Sequence, residues 1–203
     1  MLGSLVEKET TTPDTYPLST NGLVLACNQR SSRDPVVEYD ERTVTTTMLS
    51  LRERGFARTL RGDGSRVYKH EHALDEALGV GRSELAVLSV LMLRGPQTVG
   101  ELRTRTERQH AFASLEEVDD TLDRLAGRDE PLVRPLARQP GQKEARWIHL
   151  LGVSEVAPQE APAPQAPASE SGDDEALASQ LSALREDIAA LRAEVAELRA
   201  RMG

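Results

Sequence analysis

Apolar residues recur along the first three-quarters of the chain in two similar cycles. "VTTTMLSL" (44–51) and "VDDTLDRL" (118–125) share the pattern Val-x-x-Thr-Met/Leu-x-x-Leu. That spacing puts apolar groups at i, i+4 and i+7, along one face of a helix. Each segment is led by acidic residues, "YDER" and "SLEE", where carboxylates suit the positive end of the helix dipole. Each is followed by two strand-like runs around a glycine turn, Gly-Asp-Gly in "FARTLRGDGSRVYKHEH" and Pro-Gly-Gln in "LVRPLARQPGQKEARWIHLL". Glycine supplies the positive φ that tight hairpins need.

The beginnings of the two cycles match as well. "MLGSLVEKE" (1–9) and "VLSVLMLRG" (87–95) read as apolar helices ending in charge or glycine. The second of these starts near Arg82–Ser83, so the first is expected to be about one turn short, through a late translation start or a ragged domain edge. A second short helix follows in each cycle. "STNGLVLACNQ" (19–29) is capped by Ser19 or Thr20, and "TVGELRTRTERQ" (98–109) by Thr98. In the first cycle "TTTPDTYPLS" makes a longer connection, which Pro13 and Pro17 are expected to hold extended.

Helix, helix, helix, hairpin is the order of a winged helix, the helix-turn-helix variant whose hairpin is the wing. The expected fold is mainly α with small β-hairpins (α+β): two tandem winged-helix domains, residues 1–78 and 79–152, followed by a C-terminal coiled-coil helix.

The tail changes the pattern. Residues 153–173 are rich in Pro, Ala and Glu without periodicity, a disordered linker. In residues 174–203 the positions Leu177, Leu181, Leu184, Ile188, Leu191, Val195, Leu198 and Met202 alternate spacings of four and three, a heptad register. Leu181, Ile188 and Val195 fall at a, with Leu184, Leu191 and Leu198 at d; these six are the dimerisation candidates. Asp187 and Glu194 at g would meet Arg192 and Arg199 at e of a parallel partner, so both pairs attract. The competing reading is an amphipathic helix folded back on its own chain. The charge register and the linker favour dimerisation or hetero-association, with a homodimer as the expected state.

Composition adds limits. Of 203 residues 38% are hydrophobic and 3% aromatic, so the cores must be aliphatic. The net charge of −8 is concentrated in the tail, where residues 153–203 hold ten acidic against four basic side chains. A near-neutral body neither requires nor forbids a phosphate partner. The longest apolar run, "ELAVLSVLML" (84–93), is too short for a bilayer, and no signal peptide is read at the N-terminus. The single cysteine fits a reducing cytoplasm. Leu23, Ala26 and Cys27 share the inner face of the second helix, which makes Cys27 a small core residue rather than a nucleophile.

The stretches "LGSLVEKETTTPDTYPLSTNGLVLACNQRSSRDPVV", "SELAVLSVLMLRGPQTVGELRTRTER" and "RQPGQKEARWIHLLG" together resemble the YceH family, bacterial proteins of unestablished function. The resemblance covers about residues 1–152 and implies tandem winged-helix domains. It brings neither catalytic residues nor a cofactor.

A winged helix offers its third helix to the major groove and its wing to the flanking backbone. The candidate DNA-binding residues are therefore Arg42, Thr45, Thr46 and Arg52 on the first cycle's third helix. To these are added Arg30 and Arg33 before it, Arg61, Arg66 and Lys69 on the first wing, and Arg138, Lys143 and Arg146 on the second wing. The second cycle's third helix carries Asp119, Asp120 and Asp123, which phosphate would repel. That helix suits a protein partner better. Two functions follow: a dimeric DNA-binding regulator, or an adaptor of paired winged helices like the kleisin-binding subunits of chromosome-condensing complexes. Neither Gly-rich phosphate loops nor paired cysteines are present, so the chain is read as no enzyme, with no cofactor, no metal and no membrane partner. His70 and His72, two apart on a strand, point to one side but read as wing surface rather than metal ligands.

Overall fold

The computed structural model describes residues 1–61, 67–138 and 144–152. The heptad positions lie outside them, as do the linker, Arg66 and Lys143. Within the described residues are seven α-helices and five short strands, an α+β architecture.

The first cycle runs α1 (Leu2–Thr11), β1 (Leu18–Ser19), α2 (Thr20–Cys27), α3 (Glu41–Glu53), β2 (Ala57–Arg61) and β3 (Tyr68–His72). The second runs α5 (Arg82–Arg94), α6 (Val99–Thr106), α7 (Leu115–Ala126), β4 (Val133–Pro135) and β5 (Trp147–His149). Between them lies α4 (Leu74–Leu78), a five-residue helix closed by Gly79 at φ +61°. Sequence patterning missed it, because a Leu74/Leu78 pair is too short a period to stand out.

Side-chain caps open four of the helices, at Ser19 and Thr98 as expected and at Asp40 and Ser114 besides. Ser19 Oγ accepts from Gly22 N at 3.1 Å to open α2, and Asp40 accepts from Thr43 N at 2.7 Å to open α3. Thr98 and Glu101 form a reciprocal capping box on α6, and Ser114 caps α7. In one place the expectation fails. Pro13 does not extend the chain but begins a single 3₁₀ turn, Pro13–Thr15, since its fixed φ and missing N–H suit a first helical position.

The two cycles also share a sheet plan. The first sheet has the order β1-β3-β2, antiparallel, with Leu18 opposite His70 and Leu60 opposite Lys69. In the second, β4 pairs with β5, and Gln97 bridges Trp147 just before the α6 cap. The segment leading into the second helix thus pairs with the returning hairpin strand both times.

Packing joins the halves through α1. Leu5 belongs to one core with Leu23, Cys27, Val44 and Met48, while Val6 belongs to another with Leu88, Leu91, Leu122 and Leu125. Neighbouring residues of one helix therefore face two cores. Helix α1 lies close against α5. A Cβ on Gly3 would stand 2.9 Å from Leu93 Cγ, and Ser89 Oγ donates to Gly3 O at 3.2 Å. The described residues fall within one compact unit.

Candidate functional site

Helix α3 turns Val44 and Met48 into the first core and leaves Arg42, Thr45, Thr46, Leu49 and Arg52 exposed. Its polarity is complementary to its own dipole, with Glu41 in the first turn and Arg52 in the last. The cap bond holds the Asp40 carboxyl below the usual carboxylate range. Thr45 donates its hydroxyl back to Glu41 O at 2.8 Å, which orients the side chain and leaves its lone pairs outward. Among the described residues neither Arg42 nor Arg52 has a carboxylate within ion-pair distance.

The β2–β3 hairpin stands beside this helix. Arg61 lies 5.6 Å over the ring of Tyr68, and Lys69 is exposed on the facing strand. Leu60 and Val67 add exposed apolar surface near its tip. Arg58 is engaged elsewhere, by both carboxylate oxygens of Glu76. Arg30 is exposed after α2, and Arg138 is exposed after β4.

Two of the basic candidates are engaged within the protein, one of them buried. Arg33 is 9% exposed, and both terminal nitrogens of its guanidinium are engaged inside the protein. It donates to Glu7 at 3.2 and 2.7 Å, to Ala26 O at 2.7 Å and to Gln29 Oε1 at 3.0 Å. A buried charge persists only when so matched, which removes Arg33 from any nucleic-acid face. Arg146 is held as well: it donates to Pro96 O at 2.9 Å and lies 3.4 Å from Glu101. It ties the second hairpin to the start of α6.

The second cycle carries the opposite charge. Helix α7 buries Val118, Thr121, Leu122 and Leu125 and exposes Glu116, Asp119, Asp120 and Asp123. Partial burial raises the Asp119 carboxyl, with Asp123 and Asp120 adding repulsion. A phosphate array would strengthen that repulsion.

The histidine pair faces one side of β3, as its spacing requires, but inward. His70 sits between Thr20 Oγ1 (3.0 Å) and Thr59 Oγ1 (3.1 Å). His72 Nδ1 accepts from Leu74 N at 3.3 Å, so Nε2 donates to Glu9 at 2.9 Å. The Tyr16 hydroxyl, pushed up by burial, accepts from His72 N. These rings are core ties between strand and helix. Among the described residues no cluster of three or more His, Cys, Asp or Glu side chains forms a metal cage. Cys27 is 2% exposed in the first core. Among the described residues no helix is long and apolar enough to cross a membrane.

Burial holds the His70 imidazole below its ordinary value, and nearby Arg52 pushes the same way; burial lowers His149 too. The folded state therefore favours the neutral rings, while the unfolded chain takes up protons near pH ~6.5. Stability from this source is complete above that pH and falls as pH drops through the window below it, down to the folded values. Urea midpoints at pH 7.5 and 5.5 should differ in that direction, and His70→Gln should narrow the gap.

A family model described as "Protein of unknown function, DUF480" matches residues 1–142. The chain is 53% identical over 168 residues to a UPF0502 protein of Opitutus terrae, covering 82% of this chain and 73% of the relative. It is 56% identical over 164 residues to one from Solibacter usitatus, covering 80% and 78%. A third, from Dechloromonas aromatica, is 45% identical over 185 residues, covering 91% and 85%. The chain belongs to the DUF480/UPF0502 family, of which YceH is a member.

Proposed function

We propose that each cycle is a winged helix and that the protein is a non-enzymatic DNA-binding regulator. In this reading it acts through α3 of the first cycle and its wing, with residues 174–203 pairing two protomers. The observation that carries the reading is the face of α3. Arg42, Thr45, Thr46 and Arg52 stand exposed together, the two arginines without a carboxylate partner among the described residues, beside a hairpin bearing Arg61 and Lys69. Arginine and threonine contact both base edges and phosphates. A dimer would present two such faces to two half-sites. Arg30 extends the basic surface from the preceding loop, and Arg138 provides a second backbone contact.

The test is salt-dependent binding of the full chain to a random duplex, followed by fluorescence anisotropy. Arg42→Glu combined with Arg52→Glu should abolish it, because both substitutions place a carboxylate against phosphate. Neutral Arg42→Gln should flatten the salt dependence by about 0.9 in slope if it removes one phosphate contact. Binding unchanged by the double reversal rejects the α3 surface.

The acidic face of α7 favours a second role for the second cycle, docking a protein with a basic surface. If the chain retards no duplex at low salt yet retains a stable protein partner, and that partner is lost in Asp119→Lys with Asp123→Lys, the adaptor reading replaces the regulator.

A further inference from the structure

A polar recess of about 120 Å³ opens where α1, the connection after α2, α5 and the end of α6 meet. Lys8, Arg94, Arg105 and Arg108 line it, together with Ser32 and Gln109. Arg33, bonded to Glu7 and Gln29 of the same wall, brings a fifth cation to the region. Three carboxylates are near. Glu7 is engaged with Arg33 and lies 3.8 Å from Lys8; Glu101 lies 3.4 Å from both Arg105 and Arg146; Asp34 is exposed. Arg94 donates to a neutral group, Ser32 Oγ, at 2.6 Å. Among the described residues no carboxylate stands within ion-pair distance of Arg94 or Arg108.

Such crowding of like charge is unfavourable unless something neutralises it. The Arg94 guanidinium shows the strain: burial lowers its pKa, and the neighbouring Arg105 and Arg33 lower it further against the pull of Glu7 and Asp34.

We propose that this recess binds a small oxyanion, the phosphate or carboxylate group of a metabolite-sized ligand. Guanidinium groups pair with either group through parallel N–H donors, and several cations around one enclosed volume are what a multiply charged anion requires. The volume holds several water-sized groups. A duplex is a poorer match, since its backbone calls for cations spread along a surface rather than gathered in a recess. The recess takes Lys8, Ser32 and Gln29 from the first cycle and Arg94, Arg105 and Arg108 from the second. A bound anion would therefore tie the halves together, which is the placement of an effector. The proposal involves none of the α3 residues and stands apart from DNA binding.

Isothermal titration of the full chain with inorganic phosphate, pyrophosphate and citrate tests it, in chloride buffer at matched ionic strength and without DNA. At least one anion should bind saturably, and preference among the three assigns the phosphate or carboxylate class. Arg94→Gln and Arg108→Gln should each weaken binding roughly tenfold, the effect of one charge-assisted bond. Arg108 is exposed and pairs with no carboxylate among the described residues, so its loss does not threaten folding. Arg54→Gln, which removes an exposed cation outside the recess, should bind as the parent does. Absence of saturable binding by all three anions, parental affinity in both recess variants, or equal weakening in Arg54→Gln would overturn the proposal.

Discussion

Arg33→Met is expected to destabilise the folded chain by about 3 kcal/mol, toward the lower end for breaking a buried ion pair by removing one partner. The loss comes from what the guanidinium leaves behind. Glu7 keeps a largely buried carboxylate, its side chain 14% exposed, with only Lys8 at 3.8 Å for compensation. The carbonyl of Ala26, near the end of α2, loses its donor, as does Gln29. The connection carrying Arg33 has no helix or strand between Cys27 and Glu41, so these bonds hold it in place. Its neighbour Asp34 donates its backbone N–H to Leu93 O at 2.8 Å, so the same loop is fastened to α5. Urea unfolding followed by Trp147 fluorescence measures the effect. The double variant Glu7→Leu with Arg33→Met should recover most of the loss, because no orphan charge remains. A single variant within about 0.5 kcal/mol of the parent would mean that the pair behaves like an exposed one.

This residue also marks the boundary of what the sequence discloses. The repeat was legible because it is written in local chemistry: the periodic apolar faces of α3 and α7 with their acidic starts, and side-chain caps at Ser19 and Thr98, each acting within three residues. Arg33 was not, because its partner lies 26 positions upstream, and an arginine among serines reads as solvated loop. Of the candidate interface, the exposure of Arg42, Thr45, Thr46 and Arg52 follows from the helix period alone. The basic recess does not, since Lys8, Arg94, Arg105 and Arg108 come together only through the packing of α1 on α5 and α6. One signal was available. The run "ELAVLSVLML" is apolar nearly all round, and its helix buries eight residues, from Leu85 to Leu91 and Leu93. A helix hydrophobic on every side must be covered on every side, here by its own core and by α1.

That shared packing leads to the second large effect. Leu23→Ala removes a fully buried side chain from the first core and should cost about 2–5 kcal/mol through lost transfer energy and the cavity left behind. Trp147, the only tryptophan, sits on β5 in the second cycle and packs against the other core. If the cycles were independent beads, its fluorescence would ignore the change. But α1 places Leu5 in one core and Val6 in the other, and it meets α5 without even a methyl group's clearance at Gly3. Loosening the first core therefore releases the helix that covers the second. The urea midpoint reported by Trp147 in Leu23→Ala should fall together with the midpoint reported by helical circular dichroism, as one transition. An early dichroism step with the Trp147 transition left at the parental midpoint would show the cycles unfolding separately, and would remove the rigid seam on which the recess between them depends.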